Sequence, residues 1–173
     1  MDIEVIVARM KESELKNCLK EISEYSCFVD VQPAREKEVL QNAMRRLQVK
    51  FVNSYISMIC TFNGGMLFST KVYGAETEDT SFDLVSQNSY LHDEGALPKE
   101  VFAIAEEDYG DFICMRADGK SAEVFIYGIP EDADMAISER VCIGKWDSLY
   151  DWLMDELVAG EELIANDEIE PYL

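Results

Sequence analysis

Among its 173 residues the chain has a single histidine, His92, and from position 146 to its end it has neither lysine nor arginine. One imidazole in the polar run YLHDEG, with no Gly-x-Ser-x-Gly elbow and no reactive-cysteine context elsewhere, leaves a Ser or Cys triad without a base. His92 reads as a surface turn residue. Cysteine is sparse as well: Cys18, Cys27, Cys60, Cys114 and Cys142 are odd in number, far apart and set in apolar runs such as ISMICTF and DFICMRA. Without CxxC or paired His and Cys at ligand spacing, neither a disulfide scaffold nor a zinc site is expected, and the five read as reduced core thiols. No apolar run approaches the roughly 18 residues a membrane span needs, and the first residues carry acid where a secretory leader carries base, so the expectation is a bacterial-type cytoplasmic location with no membrane contact. Repeats, low-complexity tracts and Pro/Gly/Ser linkers are missing too. At 48% apolar the chain has enough material for one substantial core.

Negative charge is what the chain has in excess, and it is unevenly placed. Lys plus Arg against Asp plus Glu count 9 and 9 over residues 1–50, none of either over 51–70, 2 and 11 over 71–111, 4 and 6 over 112–145, and 0 and 9 over 146–173, for a net −20. An anionic surface repels nucleic acid and anionic lipid and speeds encounter with basic proteins, over a range of about 10 Å at 0.1 M salt. A cationic protein is the expected partner, although charge that only keeps a protein soluble would look the same in sequence.

Periodicity divides the chain into elements. Residues 1–8 alternate weakly as a short strand, MKESELKNCLKEI has helical spacing, and SCFVDV reads as a strand. Pro33 suits the first turn of a helix over PAREKEVLQNAMRRL, and the uncharged FVNSYISMICTF predicts a buried helix that Asn63-Gly64-Gly65 stops in a left-handed conformation. A strand follows at MLFSTKVYG, then a polar loop over 75–97 with one helical turn around FDLVSQNSYL. EVFAIAEE, DFICMRA, AEVFIYGI and VCIG, punctuated by YG and DG, predict an antiparallel meander. A last helix opens with the capping signature Ser148-x-x-Asp151, covers the sheet with Leu149, Trp152, Leu153 and Leu157, and ends at Gly160 before an acidic tail. The fold class is α+β: a mainly antiparallel sheet of five to six strands flanked by helices.

The order of these pieces resembles the SUKH superfamily, the Smi/Knr-like domain. FVNSYISMICTFNGG, an acidic loop, LPKEVFAIAEEDYGDFICMRA, a strand, and VCIGKWDSLYDWLMDEL carry the likeness over about residues 35–158, with Asn63, Gly64, Gly65, Gly110, Asp111, Trp146, Trp152 and Leu153 as the matching positions. Where that family has Leu-Pro before its buried helix, this chain has Val49-Lys50-Phe51. The division expected is an extension over 1–32 packed on the domain, a SUKH-like domain over 33–160 and a tail over 161–173. The resemblance implies a binding domain without cofactor, most often a bacterial immunity protein that neutralises a polymorphic toxin, in other members a regulatory scaffold.

Rim charge pairs contribute only about 0.2 to 1 kcal/mol each, so charge steers capture while affinity must come from desolvated aromatic anchors. Within the acidic segments Tyr73, Phe82, Tyr90 and Tyr109 are the candidate anchors, and Glu76, Glu78, Asp79, Asp93, Glu94, Glu107, Asp108 and Asp111 the candidate charges. Each aromatic could equally be a packing residue. Glu106, Glu107, Asp108 and Asp111 could also be read as catalytic carboxylates or a calcium site, but beside a YG turn they should be solvated, which leaves their pKa values unseparated. Asp111 is expected to bond the turn backbone, and Trp146 to sit in the core rather than in an interface.

Overall fold

The computed structural model describes residues 19, 20, 22, 24, 28–107, 110–129, 140–166 and 168. The expected strand over 1–8, most of the first helix, Cys18, Cys27, Asp108, Tyr109 and, in the acidic tail, positions 167 and 169–173 lie outside them. Seven strands form one antiparallel sheet in chain order: β1 (Phe28–Val29), β2 (Gly65–Leu67), β3 (Thr70–Val72), β4 (Val101–Glu106), β5 (Phe112–Arg116), β6 (Val124–Gly128) and β7 (Val141–Trp146). The helices whose bounds fall within the described residues are α1 (Lys37–Leu47), α2 (Asn53–Ile59), α3 (Leu84–Asp93) and α4 (Leu149–Ala165). The class is the expected α+β with a slightly larger sheet. The single strand read over 66–74 is a hairpin, because Phe68 adopts a left-handed φ of 52° and turns the chain between β2 and β3.

Register assigns the faces. Phe102, Met115, Val124 and Trp146 are successive partners across β4 to β7, so their side chains share one face. On that face Phe102 packs against Phe51, just before α2, and Tyr55 of α2 at ring separations of 5.1 and 5.6 Å. α4 covers it further along, where Thr70 Oγ1 donates to Glu156 Oε2 at 2.8 Å and Trp146 Nε1 donates to Asp155. Leu149, Trp152, Leu153 and Leu157 are fully buried there, as the helical spacing predicts, and Ser148 caps α4 by accepting from the Asp151 N–H.

Several local expectations gave way to tertiary contacts. Pro33 precedes the helix, which begins at Lys37, because residues 32–35 spend their backbone bonds on Gly64, Asn63 and Ile59 instead of on one another. The Gly64-Gly65 pair does not stop α2, whose cap is a right-handed Cys60. It opens β2, with φ values of 88° and 147°, and a side chain on Gly64 would reach within 2.6 Å of the Val72 carbonyl. The loop over 75–97 holds a full ten-residue helix, α3, started by Asp83, whose carboxylate accepts from the Ser86 N–H. Gly160 does not end α4. It lies against the Phe68 ring, where any Cβ would collide, and the helix runs on through part of the expected acidic tail.

α3 fills the edge of β4 that β3, being short, leaves open. Asn88 Nδ2 donates to the Ala103 carbonyl at 2.8 Å and its Oδ1 accepts from the Ala103 N–H at 2.7 Å, so one buried amide imitates a neighbouring strand. His92 is correspondingly no free turn residue: it is half-buried in the last turn of α3, its Nε2 2.9 Å from the Val101 carbonyl. Of the three described thiols only Cys114 is in the core, where burial pushes its pKa up; Cys60 is half-buried and Cys142 exposed.

Candidate partner-binding surface

The structure sorts the candidate residues into three environments. Glu76, Glu78 and Asp79 stand exposed on the loop between β3 and α3. That loop is held from below. Asn63 pairs its amide with both backbone groups of Ala75 at 2.7 Å each, Arg35 donates to the carbonyls of Ala75 and Glu76 at 3.3 and 2.9 Å, and Asn42 Nδ2 donates to Glu76 Oε1 at 3.3 Å. Glu76 itself is left-handed, with φ 52°, a conformation that a non-glycine residue keeps only where its surroundings enforce it. Asp79 Oδ1 accepts from the Ser81 N–H at 2.8 Å, and this hydrogen bonding holds its carboxyl below the ordinary range.

A second group lies at the end of α3. Tyr90 is 62% exposed, and Asp93 and Glu94, three and four positions on, share its side of the helix. α3 starts beside the acidic loop, where Gln87 donates to the Thr80 carbonyl, and ends about 15 Å further on, so the two groups form separate clusters. Asp93 also borders a polar cleft lined by Arg46, Ser89, His92 and Lys99, which interrupts the anionic surface.

The third group surrounds the β4–β5 turn. Glu107 and Asp111 are half-exposed and close the turn through main-chain bonds, Glu107 N–H to the Asp111 carbonyl and Gly110 N–H to the Glu107 carbonyl, both 2.9 Å. The Asp111 carboxylate lies over Gly128. Glu106 is not a free carboxylate: Lys71 Nζ is 3.4 Å away and the Tyr73 hydroxyl donates to it at 3.0 Å.

Tyr73 is therefore corrected from anchor to core residue. It has no exposed surface, and burial first, then the Glu106 charge, pushes its phenol pKa up. Phe82 is half-buried with Lys71 Nζ 5.9 Å from its ring centre. Of the described aromatic candidates Tyr90 alone stands clear of the surface. Trp146, expected in the core, is half-buried on the sheet's last strand, and Trp152 is fully buried with Nε1 donating to Glu156 Oε1 at 3.1 Å. Sequence reasoning missed Arg35, Asn42 and Asn88. Only Asn88 left a signal, a polar residue on the apolar stripe of Leu84, Val85 and Leu91.

What these residues define is an α+β domain of one meander sheet whose exposed carboxylates crown an anchored loop and a helix end. The chain belongs to a SUKH family: the family model SUKH_5, described as SMI1-KNR4 cell-wall, matches residues 14–158, reaching further towards the N-terminus than the motifs read from the sequence. A solved structure described as a crystal structure of a protein from Pseudomonas syringae pv. tomato has the same fold, with TM-score 0.60, 15% identity, and coverage of 82% of this chain and 95% of that one. No curated protein matches the chain. Among the described residues no helix is long and apolar enough to cross a membrane.

Proposed function

We propose that this domain is a non-catalytic immunity protein that neutralises a cognate basic toxin by stoichiometric binding, with Tyr90, Asp93 and Glu94 as its docking centre and the Glu76–Asp79 loop as a second contact. The observation that carries the reading is the placement of acid where the fold gains nothing from it. α1 follows the helix dipole, with Glu38 in its first turn and Arg45 and Arg46 in its last. α3 follows it only at one end: the Asp83 carboxylate caps its N-terminus, but beside His92 in the last turn Asp93 and Glu94 stand at the C-terminal end, where negative charge is unfavourable by about 0.3 to 1 kcal/mol each. Residues that break a local rule without a compensating contact mark functional surfaces. The family membership and the net charge of −20 support the same reading.

The family description, SMI1-KNR4 cell-wall, favours a second reading in which the same surface serves a regulatory scaffold of wall synthesis. A carboxylate enzyme is disfavoured because Glu106 is already engaged by Lys71 and Tyr73. Co-expression with the toxins encoded beside this chain, followed by pull-down at low and high salt, tests the proposal. Capture of a basic toxin that weakens as salt rises, and that is lost in Tyr90→Ala with Glu94→Gln, supports it. Failure of every neighbouring toxin to bind overturns it.

A further inference from the structure

β7 ends the sheet, and among the described residues no strand pairs with its outer edge. β4 and β5 are buried almost throughout, whereas every position of β7 is exposed or half-exposed, with Val141 at 44% and Ile143 at 45%. A six-residue edge strand showing branched aliphatics is a site that proteins either blunt or use for pairing. The local charge also differs from that of the acidic loop and the end of α3. Positions 140–147 carry Arg140, Lys145 and Asp147, one net positive charge in a chain of net −20, so two copies repel each other less here than through the acidic loop or the end of α3.

The bulge in β7 determines what can lie opposite what. In a regular strand side chains alternate, so two identical strands paired about a twofold axis set each residue opposite one an even number of positions away. In β7 the register against β6 jumps, Ile126 facing Gly144 and Tyr127 facing Cys142, with Ile143 left over. Ile143 lies over Gly128, which places it on the same face as Gly144 and Trp146. Alternation is reversed across this point. An axis between Ile143 and Gly144 then sets Val141 opposite Trp146 and Cys142 opposite Lys145 with their faces matched, and brings Arg140 opposite Asp147. An unbulged strand would put these pairs on opposite faces.

We propose that β7 pairs antiparallel with β7 of a second copy of this chain about that axis, joining the two seven-stranded sheets into one. The register is tested by Lys145→Cys. Opposed residues in such a pair lie about 4.5 to 5.5 Å apart at Cα, within disulfide range, while positions 142 and 145 of one strand are too distant to bridge. Oxidation should convert K145C to a covalent dimer through Cys142 of one copy and the new sulfur of the other, and the double variant C142S/K145C should stay monomeric in denaturing gels. Sedimentation of the unmodified chain should show a dimer that strengthens with added salt, as the repulsion between two anionic bodies is screened. Ile143→Glu, on an exposed side chain, should dissociate it while leaving the circular-dichroism spectrum of the folded chain unchanged. A monomer at every concentration and salt level, a dimer untouched by Ile143→Glu, or a K145C chain that cross-links equally well without Cys142 overturns the proposal. None of these outcomes depends on whether the acidic surface binds a toxin.

Discussion

Replacing Asn63 by alanine should loosen the acidic loop and destabilise the whole domain, and the size of the effect can be worked from four atoms. Asn63 is fully buried; its Nδ2 donates to the Ala75 carbonyl and its Oδ1 accepts from the Ala75 N–H, each at 2.7 Å. Without the side chain the Ala75 carbonyl still accepts from Arg35 Nε at 3.3 Å, but the Ala75 N–H has no replacement. An orphaned buried donor costs about 1 to 3 kcal/mol and the other lost bond about 1, together about 2 to 4 kcal/mol, a large share of the 5 to 15 typical of a domain. With a urea m-value of about 2 kcal/mol/M the midpoint should fall by roughly 1 to 2 M, and the melting temperature by about 5 to 15 °C. Asn63→Asp refines the test. Ionised, it turns an oxygen towards the Ala75 carbonyl; protonated, it restores donor and acceptor together. Its folded pKa is raised, so relative to the parent it should be most stable below the ordinary carboxylate pKa and lose that stability as pH rises through the raised value. A midpoint for Asn63→Ala within about 0.2 M of the parent would refute the hydrogen-bond account.

Further outcomes follow from the same contacts. Gly160→Ala gains about 1 kcal/mol of helix propensity, yet its Cβ would enter the Phe68 ring, so calorimetry should show a net loss and a larger one for Gly160→Val. Burial foremost raises the pKa of Glu156, against which the hydrogen bonds from Thr70 and Trp152 work. Its protonated form is therefore favoured by folding: that stability is fully present below the unfolded value and is lost as pH rises through the raised one, so Glu156→Gln should flatten the pH dependence of urea midpoints and raise the midpoint at pH 7. Asp93→Asn and Glu94→Gln should each stabilise the free domain by about 0.3 to 1 kcal/mol in thermal melts while weakening toxin capture. Tyr90→Ala should change stability by under about 0.5 kcal/mol but cost about 2 kcal/mol or more of binding by calorimetric titration.

The contrast between Tyr73 and Tyr90 shows why the candidate surface was only partly legible. Both lie in acidic, polar stretches, and nothing local separates them. Tyr73 follows the last residue of β3 and its N–H donates to the Ile104 carbonyl, which turns the ring into the core; Tyr90 is on the outer side of a helix whose stripe of Leu84, Val85, Asn88 and Leu91 faces inward. α3 itself was underestimated because Asn88 occupies a stripe position as a polar residue, a choice that makes sense only with Ala103 opposite it.

Composition and periodicity by themselves determined the α+β class, the four strands of the meander, the capped last helix and the excess of acid, because each follows from residues close together in the chain. Tertiary structure alone decided which glycines turn the chain and which admit a neighbour, as Gly160 admits Phe68, and which carboxylates remain free, as Glu106 does not. These outcomes depend on atoms brought within a few ångströms from positions 35 to 92 residues apart, and local patterns of charge and hydrophobicity carry no record of such encounters.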